Sequence, residues 1–402
     1  MGFTHSMASY DIPRGYSAAG IYCGIKKVKK DLALIVSDTP ATAAGVFTQN
    51  KVCAAPVVLC KENIAASGGI RAIIVNSGNA NACTGNEGML NARLMARAIA
   101  HEMHCDEREV LVSSTGVIGQ QLPIKKIESA ASDIVDLLAT TSFTDAADAI
   151  LTTDTFPKIC SEKFSIGGGD VTIWGMAKGS GMIAPNMATM LGFLCTDARI
   201  GQSALQKMLS EITERTFNSI TVDGDTSTND MVLLLANGAA SGTEITEQSD
   251  GFAVFSKHLE TVCRGLAQMI VRDGEGASKF IEIRVKGADS NGDARIAAKA
   301  IANSNLVKTA IYGEDANWGR IAAAVGYSGI DFNPEAMEIW IGSVQVLKKG
   351  YHIDFDEAEA KKVLSEKDIT IDVQLNGGAG EAAFWTCDLT KEYVNINASY
   401  RS

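Results

Sequence analysis

Histidine and proline are scarce in this chain of 402 residues, at five and seven, and its 36 lysines and arginines fall short of its 47 aspartates and glutamates. The formal charge of −11 argues against a nucleic-acid backbone or an anionic membrane surface as the main partner. No H-E-x-x-H occurs, and the nearest thing to a metal motif is His101 with His104 beside Cys105. Both histidines fall off the apolar stripe Met89, Leu90, Leu94, Met95, Ile99, Met103, so a solvated helix face suits them better than metal ligation. The absence of any Gly-Lys dipeptide excludes a Walker A loop. The absence of G-x-S-x-G removes the serine nucleophile elbow. The nine cysteines are scattered, odd in number and never spaced C-x-x-C, a pattern expected of reduced thiols in a cytoplasmic protein. Met1 to Pro13 holds no apolar core of a signal peptide. The uncharged stretch from Gly179 to Thr196 is interrupted by Gly181, Pro185 and Asn186, which spoil a spanning helix. The expectation is a soluble protein.

What is present is ordinary globular material, 46% apolar and 21% charged, long enough to bury a core without disulfides or a structural metal. Length alone suggests about two to three domains, yet no linker, repeat or low-complexity segment divides the chain. Strand-like runs cover 31–37, 71–75, 110–113, 170–174, 192–196, 231–235, 279–285, 338–342 and 369–374. Helical spacing appears in Ile124, Ile127, Ala131, Ile134, Leu138, in Leu205, Met208, Leu209, Ile212, and in Phe255, Leu259, Val262, Leu266, Ile270 up to Asp273-Gly274. The class is mixed α and β, without the strict alternation of a wound parallel sheet.

Candidate chemistry narrows quickly. Gly179-Ser-Gly181-Met-Ile-Ala184 fits a dinucleotide fingerprint in letters, but Pro185-Asn186 follows where a helix should open. Gly274-Glu-Gly276 has Lys279 at the third glycine position. Asp223-Gly-Asp225 to Asp230 begins like a calcium loop, with Thr228 and Leu234 in place of the required Gly and Glu; a polar turn bonding local backbone is preferred. Two segments stay open between a bland and a chemical reading. Lys178 to Asp197 is either a loop entering a buried strand or the approach to an N-terminal nucleophile, Thr189, made by cleavage before it. In the second case the α-amine, with an intrinsic pKa of about 7.7–8.0, acts as the base, and neither histidine nor metal is required. Ser113 to Gly119 is either a strand-ending turn or an oxyanion hole.

The residues Lys178-Gly-Ser-Gly-Met-Ile-Ala-Pro-Asn-Met-Ala-Thr-Met-Leu resemble the autocleavage motif of the ornithine acetyltransferases, the bifunctional glutamate N-acetyltransferases of arginine biosynthesis. Further landmarks in order are Asn76 to Gly85, Ser114 to Gly119, Thr152 to Thr155, Val222 to Asp230, Asp273 to Ala277, Lys308-Thr-Ala, Asn317 to Ile321 and Tyr393 to Ser402. The resemblance spans essentially the whole chain and implies an α/β/β/α sandwich, two packed sheets flanked by helices, of the self-cleaving N-terminal-nucleophile type. It implies scission at Ala188-Thr189 into an α chain (1–188) and a β chain (189–402), with Thr189 the nucleophile and Thr115 and Gly116 the oxyanion hole. Thr155, Lys178, Thr189, Glu275, Asn397 and Ser402 match substrate-contacting positions. The implied reaction moves acetyl from N2-acetylornithine to glutamate by a ping-pong route, with no metal or cofactor. Acetyl-CoA is a second donor in the family, though no CoA loop is identifiable here. The implied assembly is α2β2 or larger. An aminopeptidase-like hydrolase using the same threonine, and a non-catalytic binding protein, are the competing readings.

Overall fold

The apolar runs become strands in the computed structural model, which describes residues 10–66, 68–184 and 190–399. In chain order the first part holds β1 (Tyr16–Ile21), β2 (Leu32–Phe47), α1 (Ala55–Ala66), β3 (Ile70–Asn79), α2 (Gly85–Met103), β4 (Val110–Val117), α3 (Ile124–Asp136) and α4 (Phe143–Ala149). Next come β5 (Lys158–Ile166), β6 (Gly169–Lys178), β7 (Leu191–Thr196), α5 (Gln202–Arg215), β8 (Met231–Ala236) and α6 (Gly251–Arg272). The last part is β9 (Phe280–Ala288), α7 (Asn291–Ala302), α8 (Asn305–Tyr312), α9 (Trp318–Gly326), β10 (Glu338–Ile341), β11 (Val344–Lys348) and β12 (Tyr351–His352). It closes with α10 (Glu357–Leu364), β13 (Asp368–Gln374), β14 (Gly380–Cys387) and α11 (Lys391–Ser399).

The 16-residue strand β2 belongs to two layers. Its first half pairs with β1 and β3, its register with β3 breaks between Val36 and Ala41, and its second half pairs with β8. The resulting order is β4-β3-β2-β8-β7-β6-β5. Alternation along the central strands then assigns their faces. Trp174, Met176, Phe193, Cys195, Leu233 and Leu235 share one core with Leu34, Ile73 and Val75 of the other layer. The intervening Ile173, Leu194, Val232 and Leu234 share another with Leu205, Met208, Leu259 and Leu266 of α5 and α6. Helices α1, α2 and α3 bury Val57, Met95 and Ile127 against the first layer. This is the expected sandwich of two sheets between helices.

A six-stranded sheet, β12-β11-β10-β13-β9-β14, follows with its own core under α7, α8, α9 and α10. Composition gave no sign of it, because only the short ordinary stretch 273–279 joins α6 to β9. All nine strand-like runs and the three helical patterns are found. Strands β1, β5, β11, β12 and β14 were not anticipated. In β1 (YSAAGI) and β14 (GEAAFWTC) the small residues carry little strand preference. The Ser113 to Gly119 segment also differs from expectation: it is strand as far as Val117, not turn. His101 is exposed and His104 ends α2 in a left-handed conformation (φ 53°), off the apolar face. Among the described residues no helix is long and apolar enough to cross a membrane.

Candidate active site

Parallel strands β3 and β4 place Ser77 opposite Thr115 and Gly78 opposite Gly116, and their register breaks at Gly78/Asn79. Gly116 sits at φ +131°, and a Cβ there would run into the carbonyl carbon of Gly78, so the bulge admits only glycine. Polar side chains fix these strand ends from inside. Asn229 donates to the carbonyls of Ala80 (2.6 Å) and Ser114 (2.8 Å), and the Ser114 hydroxyl donates to Asn76 Oδ1 (2.6 Å). Buried amides that spend their donors on neighbouring backbone hold it rigidly.

Facing them, β6 ends in Lys178, whose Nζ donates to Thr115 Oγ1 (3.2 Å). Burial lowers the pKa of Lys178, against the pull of Asp154, Asp230 and Glu275. Behind it lies a buried ion cluster. Lys158 bridges Asp154 Oδ1 (2.7 Å) and Asp273 Oδ2 (2.6 Å), and Asp154 Oδ1 also accepts from Gly179 N–H (2.7 Å). Burial opposes ionisation of Asp154, but Lys158, Lys178 and its hydrogen bonds outweigh it and hold the carboxyl well below the usual range. The turn after α6 carries Glu275, whose Oε2 accepts from Asn397 Nδ2 on α11 (2.8 Å). Gly181 makes room for it, since a Cβ there would overlap the Glu275 carboxylate. Asp223 accepts from the N–H groups of Met182 (2.6 Å) and Ile183 (2.9 Å), so the polar 221–230 loop also clamps the chain beyond β6 rather than bonding only to itself.

Between these walls is a cavity of about 130 Å³ lined by Thr115, Gly116, Thr152, Thr153, Lys178, Gly181, Met190, Asn229, Asp230, Glu275 and Asn397, among others. No histidine or cysteine is among its described lining residues, which carry hydroxyls, carboxylates and the Lys178 amine. A larger groove at Ser165–Gly167 and Ser241–Ile245 offers as ionisable groups only the surface pair Arg199–Glu244 (3.8 Å) and Asp250, without converging polar side chains. No cluster of three metal-ligating side chains occurs among the described residues.

The structure therefore brings together five expected positions: Thr115, Gly116, Lys178, Glu275 and Asn397. Thr155 is not on the cavity wall. Its N–H (3.0 Å) and its hydroxyl both donate to the Asp273 carboxylate, which ties it to the ion cluster, while Thr152 and Thr153 line the space. Ala188, Thr189 and Ser402 lie outside the described residues. Sequence reasoning did not single out Asp154, Lys158, Asp273, Asn229 or Asp230. Four of them stand inside quoted motifs, and only Lys158 lay beyond any signal.

A family model described as the ArgJ family matches residues 17–402. The chain belongs to the ArgJ family. The arginine biosynthesis bifunctional protein ArgJ of Chlorobaculum tepidum is 53% identical over 391 residues, 97% of this chain and 96% of that one. Its counterpart from Thermotoga neapolitana is 52% identical over 97% of this chain and 100% of its own length. A crystal structure of the Bacillus halodurans protein of the same name is 50% identical, with a TM-score of 0.50, and covers 51% of this chain and 96% of that chain. The ornithine acetyltransferase resemblance is borne out, and this ArgJ-family chain is an acetyl-transferring enzyme of arginine biosynthesis.

Proposed function

We propose that the chain cleaves itself between Ala188 and Thr189 and then carries acetyl from N2-acetylornithine to glutamate as an ester on Thr189. The observation that carries this reading is the cavity itself. Met190, which follows Thr189 in the chain, lines it together with Thr115, Gly116, Lys178 and Glu275, and histidine is absent from its described walls. The Thr189 hydroxyl oxygen attacks the acetyl carbonyl carbon while the α-amine of the same residue takes the hydroxyl proton. The oxyanion accepts from the Thr115 hydroxyl and the Gly116 N–H. Thr115 is suited to this, because accepting from Lys178 directs its own O–H elsewhere. The C–N bond then breaks, the proton passes to the departing ornithine amine, and the acetyl ester remains. Glutamate's amine attacks that ester in the reverse sequence and restores the hydroxyl.

Lys178 suits a substrate carboxylate, and Glu275, oriented by Asn397, suits the ornithine ammonium. Ser402 completes the substrate contacts in this reading, while Thr155, bonded to Asp273, steadies the ion cluster behind Lys178. Scission into 1–188 and 189–402 does not separate the parts, since β6 before the cut pairs with β7 after it from Ile173↔Thr196 to Lys178↔Leu191. A half-length relative supports the cut: the Bacillus halodurans chain, nearly all of which aligns with half of this one, is about half as long. The mature enzyme assembles as α2β2 or larger in the cytoplasm, without a metal, and accepts acetyl-CoA as a second donor.

Incubating purified enzyme with acetylornithine, with and without glutamate, tests the transfer. Ornithine release is expected to continue past one equivalent only with glutamate present. Equal steady release in both would favour the aminopeptidase-like hydrolase.

A further inference from the structure

We infer that Lys158 is a positioning residue for substrate length: its buried bridge between Asp154 and Asp273 fixes the span from Lys178 to Glu275. This rests on the proposed pairing of Lys178 with a substrate carboxylate and of Glu275 with the side-chain ammonium. Neither group is placed by packing of its chain neighbours. Gly179 follows Lys178, and Gly274 and Gly276 flank Glu275, so both segments start with the backbone freedom of glycine. Polar struts hold them instead. Lys158 opens β5 opposite Ala177, the residue before Lys178. Its Nζ donates to Asp154 Oδ1 (2.7 Å), to Asp273 Oδ2 (2.6 Å) and to the Phe156 carbonyl (3.3 Å), which uses all of its N–H groups. Lys158 is fully buried and is not among the described lining residues of the cavity, so it acts only through what it holds.

Each carboxylate steadies one wall. Asp154 Oδ1 also accepts from the Gly179 N–H (2.7 Å), and its Oδ2 accepts from the Thr152 N–H (3.0 Å). Asp273 begins the turn that presents Glu275, and Thr155 donates to its carboxylate through both N–H and hydroxyl. Ser180 ties the two walls directly. Its hydroxyl donates to the Asp273 carbonyl (2.5 Å), and its own carbonyl accepts from the Glu275 N–H (3.0 Å). A satisfied buried network rigidifies what it joins. The end of β6 and the turn after α6 therefore form one frame, and a substrate that bridges it must match its length. Ornithine has three methylenes between Cα and ammonium, diaminobutyrate two and lysine four. One methylene is worth about 10–200-fold in specificity, and misplacing a positioning group by about 1 Å costs about 10²-fold.

The N2-acetyl derivatives of these three amino acids, compared by kcat/KM with glutamate as acceptor, test the assignment. Inactive molecules cancel from a ratio of two substrates on one preparation, so a purely structural loss leaves the ratio unchanged. Wild type is read first. Enzyme that moves no acetyl from acetylornithine overturns the functional reading, whereas transfer with preferences below about tenfold overturns the role of Lys158 alone. Lys158→Met is expected to lower the preference for acetylornithine over at least one homologue by about threefold or more. Unchanged preferences over both overturn that role. Should Lys158→Met give no soluble enzyme, Thr155→Val and Ser180→Ala decide by the same ratios, since each removes one strut and leaves the ion pair in place. Wild-type preferences in both of these variants overturn it equally.

Discussion

The sandwich and the sheet that follows it bury polar groups in opposite ways. Between residues 280 and 384 only Ser304 and Lys308 are buried polar side chains, and both are satisfied. Ser304 caps α8, and Lys308 donates to Thr386 Oγ1 (2.9 Å) and to the Cys387 carbonyl. The sandwich instead gathers Asn76, Thr115, Asp154, Lys158, Asn229, Asp230, Asp273 and Glu275 toward one rim. There Lys158 bridges Asp154 and Asp273, while Lys178 and Asp230 keep capacity free beside the cavity. Buried charge that only supports structure is paired; buried charge left incompletely paired marks where a ligand or a reacting group belongs.

Substitutions sharpen this contrast. Lys158→Met strands two buried carboxylates and is expected to cost about 3–5 kcal/mol, measured by denaturant unfolding of the mature enzyme. A loss near zero would mean that the cluster is not a charged unit. Thr115→Ala removes one proposed oxyanion donor and should lower kcat about 10²–10³-fold with the melting temperature little changed, read in the acetylornithine–glutamate assay. Ile301→Val in the core of the second sheet should cost only about 0.5–1.5 kcal/mol and leave kcat within twofold. A larger loss of kcat there would erase the distinction between the regions.

Much of the sandwich was legible because β6, β7 and β8 lie between two hydrophobic layers, and β7 and β8 read as nearly unbroken apolar runs. Edge strands such as β5, with Ser161 and Glu162 half-buried and Lys163 exposed, left no such signal. Thr115, Gly116, Lys178 and Glu275 were found through motifs of short, distinctive order. Periodicity identifies a residue's face, whereas a site depends on which loops meet. Lys158 shows the limit: a lysine opening a β-rich run reads as a solvated terminus, and only the meeting of Asp154 with Asp273, 119 residues apart in sequence, turns it into a buried bridge. Asp230 likewise reads as a turn residue until its unpaired oxygen is seen against the cavity.

The proposed chemistry depends on scission between Ala188 and Thr189, and intact-mass measurement of the purified protein tests that scission most directly. Two fragments whose masses correspond to residues 1–188 and 189–402 are expected, with a Thr189→Ala variant remaining one chain and inactive. A single uncut chain that transfers acetyl at full rate would contradict it.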